Sequence, residues 1–267
     1  MKRKFFIKRS FLVLLLLIGL VSCDQKEKNN QNNQSKQSKQ PTAITKLNTE
    51  EEKTVVKHDP HAITIAIEQI SSNQFYSAMQ YKKVSKPIEK ITDLTIVQKQ
   101  LSGIVDFRKE GDSTLYINKI HFRNGTILEN DGECNYCSFV AYFPTDDILL
   151  LEGGHMSDVS FDLGTGQETE DAGNPELATE SPNSKYRLNK IYEGQECYEH
   201  FIQKKQNGKF QKIVDLNKLF KDKTGEWLCY IEKEFWTDDT TLYFGLVTEY
   251  KETGNEYVFY KVKIIER

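Results

Sequence analysis

The stretch TLYFGLVTEYKETGNEYVFYKVKII, residues 241–265, decides how this chain folds. Aromatic and β-branched side chains, which strands prefer, crowd both of its halves. Gly254-Asn255 lies between the halves, and these two residue types tolerate the positive φ that tight hairpin turns require. The stretch therefore predicts an antiparallel β-hairpin.

Two earlier stretches repeat this arrangement. LYINKIHFRNGTILE (115–129) turns at Asn124-Gly125, and CYEHFIQKKQNGKFQKIVDL (197–216) turns at Asn207-Gly208. Asn-Gly between extended runs is the strongest short-range hairpin signature. Hairpins in succession without intervening helices predict a mainly β fold of antiparallel meander sheets.

Three short sequence motifs indicate which β architectures to consider. FDLGTGQE (161–168) and SPNSKYRLN (181–189) resemble the outer turn and the inner-strand entry of β-propeller blades, and WTDDTTLYF (236–244) resembles a second entry. The resemblance implies propeller-like sheets within residues 161–244. A propeller repeats every 40–45 residues or so, and the chain has no clean period of that length. A sandwich of twisted sheets stays open as the alternative.

The residues before Gly103 predict a short helical part. Asp93 is a candidate N-cap, and the residues after it place apolar side chains at helical spacing, with Gly103 beyond the expected end. These apolar residues are Leu94, Val97 and Leu101. Residues 63–79 alternate at first and then lose their period, so they are left open between strand and helix.

The chain starts with the features of an export signal. Five Lys and Arg residues precede FLVLLLLIGLV (11–21), an apolar segment too short to span a bilayer. Leu20-Val21-Ser22-Cys23 then resembles the lipobox of bacterial lipoproteins. The resemblance implies cleavage before Cys23 and attachment of two or three acyl chains, which would anchor the protein firmly. Residues 1–22 are therefore predicted to be a signal peptide.

A polar tract follows Cys23. DQKEKNNQNNQSKQSKQ (24–40) contains no apolar side chain, so it cannot bury enough surface to offset its ordering entropy. We expect residues 23–60 to form a lipidated, disordered tether and residues 61–267 to form a single β-rich domain. The alternative for the tract is a tail that binds the cell wall or a partner.

The charge of the chain excludes one class of ligand. The formal net charge is −3, and removal of the five cationic residues of the signal peptide leaves −8 on the mature chain. An acidic domain lacks the basic surface that neutralises phosphates, so we expect no nucleic-acid partner. It also repels anionic lipid, so the lipid on Cys23 must provide the anchoring.

The four remaining cysteines are disulfide candidates. An even number in an exported domain favours disulfides, and Cys197 and Cys229 lie in neighbouring predicted strands. Cys134 and Cys137 form a CxxC motif between a predicted turn and a predicted strand. A structural role is the favoured interpretation of this motif, either as a small local disulfide or as two free thiols at a turn. A zinc site assembled from all four sulfurs and a redox-active pair are the alternatives, although the local pattern predicts no metal or other cofactor.

LLLEGGHMSDVSFDLGTG (149–166) is the best candidate for a ligand site. Gly153-Gly154 can let a ligand approach the backbone, and His155, Ser157 and Asp158 are polar groups beside it. The stretch lacks the GxSxG pattern of hydrolase nucleophiles. The alternative to a ligand site is a plain hairpin between strands 148–152 and 158–163, in which the two glycines only make the turn flexible.

Acidic and aromatic residues suggest two further kinds of site. Asp146-Asp147, Asp238-Asp239 and the run Glu168, Glu170 and Asp171 are paired carboxylates, which glycoside hydrolysis uses and which solvated loops also carry. Aromatic side chains in the strands can line a carbohydrate-binding face or fill the core. They include Tyr192, Tyr198, Phe201, Trp227, Phe235, Trp236 and Tyr243.

The sequence therefore predicts a bacterial cell-envelope lipoprotein, held on a membrane through Cys23, with a binding or scaffold role toward an envelope protein or glycan. The alternatives are an envelope hydrolase acting on glycans and an immunity or inhibitor lipoprotein. Asp24 resembles an inner-membrane retention signal, whereas QKEK (25–28) resembles a surface-export signal. The membrane and leaflet therefore stay open.

Overall fold

The computed structural model describes residues 63–111, 114–129, 134, 136–194 and 197–266. All of them belong to one unit, Val56–Arg267. Cys23, the predicted signal peptide and the predicted tether lie outside the described residues. The fold is mainly β, as predicted, and its strands form three antiparallel sheets.

The first sheet is a meander with the strand order β2-β3-β5-β6-β7, and β4 pairs with β3 outside this path. The predicted hairpin at Asn124-Gly125 joins β3 to β4. The predicted strands 148–152 and 158–163 correspond to β6 and β7. The strands are β2 (Val105–Glu110), β3 (Thr114–His121), β4 (Ile127–Glu129), β5 (Ser138–Phe143), β6 (Ile148–Glu152) and β7 (Asp158–Asp162).

The second sheet has the order β11-β10-β9-β8. Its hairpin between β10 and β11 turns at Asn207 (φ 51°) and Gly208 (φ 84°), which confirms here the prediction that both turn residues take positive φ. That prediction is wrong for the Asn124-Gly125 and Gly254-Asn255 turns, where only the glycine takes positive φ. The strands are β8 (Thr179–Glu180), β9 (Tyr186–Tyr192), β10 (Tyr198–Gln206) and β11 (Lys209–Asp215).

The third sheet joins the two ends of the described chain, in the order β1-β14-β13-β12. The hairpin predicted at Gly254-Asn255 connects β13 to β14. The strands are β1 (Ile63–Ile70), β12 (Ile231–Asp238), β13 (Thr241–Glu249) and β14 (Glu256–Glu266). β1 pairs with β14 over its whole length, from Ile63 opposite Glu266 to Ile70 opposite Phe259.

Four short helices accompany the sheets: α1 (Ser72–Met79), α2 (Leu94–Gln100), α3 (Thr169–Ala172) and α4 (Leu216–Thr224). The helical part predicted before Gly103 is α2, and Asp93 caps it by accepting a hydrogen bond from the Ile96 N–H at 2.8 Å. Residues 63–79, which the sequence leaves open, form β1 and then α1. Ser71 and Gln74 make a capping box at the start of α1.

The main core lies between the second and third sheets. Leu188 and Ile202 of the second sheet pack there with Trp236 of the third sheet and Phe220 of α4. A second core lies between the first sheet and α2, around Val97 and Leu101. The described strands form no closed barrel.

A buried polar network joins the first sheet to the second. The Arg187 Nη1–H donates to Asp146 Oδ2 at 2.6 Å, and the Arg187 Nε–H donates to the Gln203 side chain. The guanidinium also stacks 4.0 Å from the centroid of the Phe210 ring. Because Arg187 is only 1% exposed, the ion pair is desolvated and fixes how β9 meets the loop after β5.

Candidate functional site

An open cavity of about 520 Å³ lies between β7, α3 and β9, and we call it the acidic cavity. Two candidates that the sequence singles out, Ser157 and Asp158, line it together with the acidic run that follows β7. Its lining residues are Ser157, Asp158, Glu168, Thr169, Glu170, Asp171, Ile191 and Glu193. The structure therefore brings Ser157 and Asp158 to one site with an acidic run that begins ten residues after Asp158.

The loop after β7 brings the acidic run to the cavity. The Asp162 carboxylate accepts hydrogen bonds from the Gly164 and Thr165 N–H groups, so the chain reverses in an Asx turn. Thr169 then returns beside β7, where its Oγ1 accepts a hydrogen bond from the Ser160 N–H at 2.9 Å. This return places α3 along one wall of the cavity.

Gly173 ends α3 at a position that only glycine fits. Its φ is +74°, and a Cβ there would lie 2.2 Å from the Asn189 Nδ2 atom. The close approach lets the next residue, Asn174, donate its N–H to Asn189 Oδ1 at 3.0 Å. Gly173 therefore sets the distance between α3 and β9 at the back of the cavity.

Asp158 is held by two hydrogen bonds. Its Oδ1 accepts one from Asn174 Nδ2 at 3.0 Å, and its Oδ2 accepts one from the Tyr192 N–H at 2.8 Å. Burial raises the pKa of the Asp158 carboxyl, although these two hydrogen bonds act in the opposite direction. Asp158 is thus a fixed acceptor that ties β7 to β9.

His155 lies on the neighbouring turn and is not among the residues lining the acidic cavity. It is exposed and takes a positive φ of 56° within the short 3-10 turn Gly154–Met156. The turn contacts the loop after β9 closely, since a Cβ on Gly194 would lie 2.9 Å from the His155 Cβ. Of the three predicted ligand-site residues, the structure brings Ser157 and Asp158 to the cavity.

A smaller cavity of about 230 Å³ continues the first along the second sheet. Its lining shares Glu170, Ile191 and Glu193 with the acidic cavity and adds Glu199, His200, Phe201, Lys212 and Asp215. Burial raises the pKa of Glu199, and the nearby carboxylates of Glu193 and Asp215 raise it further. We call the two cavities together the acidic groove.

The acidic groove carries a strong excess of negative charge. Lys212 carries the positive charge among its lining residues, and its Nζ–H donates to the Glu170 carbonyl at 3.1 Å. Such a groove attracts cationic groups at long range. The carboxylates that line it are Asp158, Glu168, Glu170, Asp171, Glu193, Glu199 and Asp215.

A row of four tyrosines runs past the same end of the second sheet, and we call it the tyrosine row. The Tyr198 ring centroid lies 5.4 Å from that of Tyr192 and 5.5 Å from that of Tyr230. Tyr250 continues the row, 6.4 Å from Tyr230, and is 67% exposed. The Tyr192 N–H that binds Asp158 connects the row to the acidic groove.

The other aromatic candidates divide between core and surface. Phe201, Phe235 and Trp236 are buried in the core, as the structural alternative predicts. Tyr243 is half-buried and stacks on Phe235 with a centroid distance of 5.1 Å. Trp227 is 59% exposed.

Two disulfides account for the four cysteines of the domain. Cys197 and Cys229 are bonded across a sequence separation of 32, and Cys134 is bonded to Cys137. Both pairings are those that the sequence favours. Because each sulfur is bonded within its pair, the four do not assemble into a zinc site. The described residues contain no other group of three His, Cys, Asp or Glu arranged to hold a metal ion.

The remaining acidic pairs make ion pairs and hydrogen bonds that stabilise the fold. Asp146 is buried against Arg187, and Asp147 accepts hydrogen bonds from Arg123 Nε–H at 2.8 Å and Tyr142 O–H at 2.9 Å. Asp239 accepts from the Asn183 N–H, which ties the third sheet to the turn before β9. The interpretation of the acidic pairs as solvated loop residues is therefore wrong for Asp146.

His200 is a buried histidine that the sequence pattern did not single out. Its Nδ1–H donates to Asn217 Oδ1 at 2.9 Å, and its Nε2 has no hydrogen-bond partner among the described residues. Asn217 belongs to α4, so this hydrogen bond ties β10 to α4 beside the smaller cavity of the acidic groove, which His200 also lines. Burial lowers the pKa of His200 to about 3, and nearby Lys190 contributes to this lowering.

None of the helices in the described part of the chain has the length and apolarity to cross a membrane. Compared with family models, with curated proteins and with solved structures, the chain matches none of them.

Proposed function

We propose that this protein is a bacterial cell-envelope lipoprotein, anchored through acyl chains on Cys23, whose β-rich domain binds a cationic partner. The observation that carries the binding role is the acidic groove with the tyrosine row beside it. Carboxylates attract cationic groups, and tyrosine faces hold them by cation–π contact. The fixed Asp158 links the two surfaces into one electronegative region.

The sequence supports the anchor. A cationic start, a short apolar segment and Leu20-Val21-Ser22-Cys23 stand in the order of a lipoprotein signal. Mass spectrometry of the membrane fraction should find a mature chain that starts at Cys23 and carries acyl groups. A Cys23→Ser chain that stayed membrane-bound would contradict the anchor.

The binding role is tested by a pulldown from detergent-solubilised envelope with the full chain as bait. A variant with Glu168→Gln, Glu170→Gln, Glu193→Gln and Glu199→Gln neutralises four groove carboxylates without changing their size. We expect the native chain to capture a basic protein that this variant does not capture. Equal capture by both chains would place the binding surface elsewhere.

A glycan hydrolase is the second candidate, and one observation favours it. The acidic cavity gathers several carboxylates, and burial raises the pKa of Asp158, as a general acid requires. Asp158→Asn should then abolish release of sugars from envelope glycans labelled at their reducing ends. If the native chain releases none, the hydrolase candidate is excluded. An immunity or inhibitor lipoprotein would be a binder whose partner is a basic enzyme.

A further inference from the structure

An open cavity of about 400 Å³ lies beside α1, on the face of the third sheet that points away from the main core. Its volume is in the range of pockets that bind small ligands. Side chains of the sheet form its floor, and side chains of α1 form its wall. We call it the α1 cleft, and its lining residues are Glu68, Ile70, Asn73, Gln74, Ser77, Tyr243 and Lys261.

One row of side chains crosses the third sheet at the floor of the α1 cleft. Phe235 on β12 lies opposite Tyr243 on β13. Tyr243 in turn lies opposite Lys261 on β14, which lies opposite Glu68 on β1. Residues directly opposite each other project to the same face of an antiparallel sheet, so these four side chains stand side by side.

Tyr243 presents an aromatic face to the α1 cleft. Its other face stacks on Phe235, with ring centroids 5.1 Å apart and an angle of 7° between the rings. This distance is close to the spacing of about 4.8 Å between neighbouring strands, so the second face of the Tyr243 ring is turned toward β14. The Lys261 ammonium group is directed away from that face, because it pairs with Glu68 on the next strand at 3.7 Å.

Buried phenylalanines hold Tyr243 and α1 in a fixed arrangement. Phe75 on α1 is fully buried, and its ring centroid lies 5.1 Å from that of Phe235 and 4.3 Å from that of Phe259. Because Phe235 also stacks on Tyr243, the same cluster positions the ring and the helix. A site that is already shaped loses less affinity to ordering when a ligand binds.

The wall of the α1 cleft carries uncharged polar groups. Asn73, Gln74 and Ser77 line it from α1. The Gln74 Oε1 atom caps the helix by accepting a hydrogen bond from the Ser71 N–H at 2.9 Å, which leaves its Nε2 as a donor. The side chains of Asn73 and Ser77 and the Tyr243 hydroxyl make no hydrogen bond within the described part of the chain. Amides and hydroxyls both donate and accept hydrogen bonds, as sugar hydroxyls do.

The charges of the α1 cleft cancel. Glu68 and Lys261 are its charged lining residues, and they form one ion pair. An ionic ligand would be attracted by one of these groups and repelled by the other, so the cleft favours a neutral ligand.

We propose that the α1 cleft binds a neutral glycan, with one pyranose ring lying on Tyr243. The C–H face of the sugar packs on the aromatic ring, and its hydroxyls exchange hydrogen bonds with the polar groups of α1 and with the Glu68–Lys261 pair. Tyr243 is one of the aromatic residues that the sequence offers for a carbohydrate-binding face. None of the residues of the cleft lines the acidic groove, so glycan binding is independent of what the groove binds.

The test uses the full chain in micelles of a polyoxyethylene detergent, which contains no sugar. Isothermal titration calorimetry measures binding of the β-1,4-linked tetrasaccharides of glucose, mannose and N-acetylglucosamine. We expect at least one of them to bind with a dissociation constant below about 1 mM. A β-1,4-linked tetramannuronate, which adds a negative charge to each ring, should bind at least tenfold more weakly than the best of the three.

Hydroxyl-radical footprinting with mass spectrometry locates the bound glycan without any variant. The glycan should slow oxidation of Tyr243 at least threefold. Tyr81 and Trp227 are exposed outside the α1 cleft, so their oxidation should not change.

Paired variants test the aromatic face and the polar wall separately. Tyr243→Leu removes the face and should weaken binding at least tenfold, whereas Tyr243→Phe keeps it and should weaken binding less than threefold. The control Tyr257→Leu removes a tyrosine that stacks on Phe259 outside the cleft and should leave binding unchanged. Asn73→Leu should weaken binding at least fivefold, whereas Gln80→Leu, at an exposed amide at the end of α1, should not.

Several outcomes would overturn the proposal. One is failure of all three neutral tetrasaccharides to bind at millimolar concentration, which needs no variant. Oxidation that slows at Trp227 instead of Tyr243 would place the glycan on another surface. Equal losses in the Tyr243→Leu and Tyr257→Leu chains would show that stability, rather than contact with Tyr243, controls binding. Tetramannuronate binding as tightly as the best neutral probe would make the ligand acidic.

Discussion

At the scale of single residues, buried polar groups position the elements around the acidic groove. Asp158 fixes β7 to β9, and Gly173 lets α3 approach Asn189. His200 differs from these residues because its Nε2 is buried without a partner among the described residues. Such a histidine stays neutral in the folded state and makes stability depend on pH.

His200 should make the domain lose stability as pH falls from 6.5. Burial holds its folded pKa at about 3, whereas the unfolded value is about 6.5. Below pH 6.5 the unfolded chain therefore binds a proton that the folded chain does not. The contribution of neutral His200 to the free energy of unfolding is complete above pH 6.5 and is lost progressively as pH falls toward 3. At pH 5 the loss is about 2 kcal/mol.

Urea unfolding at several pH values measures this loss. His200→Gln should reduce the fall in unfolding free energy between pH 6.5 and 5 by about that amount. Phe201→Leu, a buried change on the same strand without a titrating group, should lower stability while leaving the fall unchanged. A His200→Gln chain with the native pH dependence would show that another group is responsible.

Gly173→Ala should destabilise the domain more than an alanine at another glycine with positive φ. At Gly173 the new methyl group would meet Asn189 at 2.2 Å and φ is +74°, so strain and collision combine to about 3 kcal/mol or more. Gly208→Ala is the matched control, since its φ is +84° but nothing lies within 4 Å of the new Cβ. We expect it to cost about 1 kcal/mol. Equal losses in urea unfolding would mean that Asn189 moves aside freely.

At the scale of elements, local chemistry predicts what lies close in sequence. Asn207-Gly208 specifies its hairpin because both residues accept positive φ, and Asp93 caps α2 through its own side chain. The pairing of β1 with β14 has no local signature, because it joins strands at opposite ends of the described chain and depends on tertiary packing. For the same reason the sequence shows Asp158 and Glu168 as separate acids rather than as walls of one cavity.

The two disulfides should contribute unequally. The Cys197–Cys229 bond closes a loop across a separation of 32 residues, whereas Cys134–Cys137 spans a separation of 3. In the chain-entropy model the longer loop is worth about 3 to 4 kcal/mol, and the short loop is worth less. The double variant Cys197→Ser/Cys229→Ser should therefore unfold at lower urea than Cys134→Ser/Cys137→Ser. The reverse order would contradict the assignment of the first bond as the main cross-link.

At the scale of the whole molecule, composition predicts that the site is acidic but does not predict where in the fold it lies. The net charge is −3 and would be −8 without the five cationic residues of the predicted signal peptide, which predicts an acidic domain. The fold gathers seven of its carboxylates along one groove and places a row of tyrosines at its end. Sheet packing decides this gathering, so no single stretch of sequence contains it.

Titration of the full chain in detergent micelles with a hexa-arginine peptide tests the central claim most directly, because this probe carries the charge and the stacking groups that the groove and the tyrosines should hold. We expect at least tenfold weaker binding by the Glu168→Gln/Glu170→Gln/Glu193→Gln/Glu199→Gln chain. The control Asp106→Asn/Glu110→Gln/Glu129→Gln/Asp222→Asn neutralises four exposed carboxylates elsewhere and should change binding less than twofold. Equal losses in the two chains would show that net charge alone attracts the peptide and would contradict a binding site in the acidic groove.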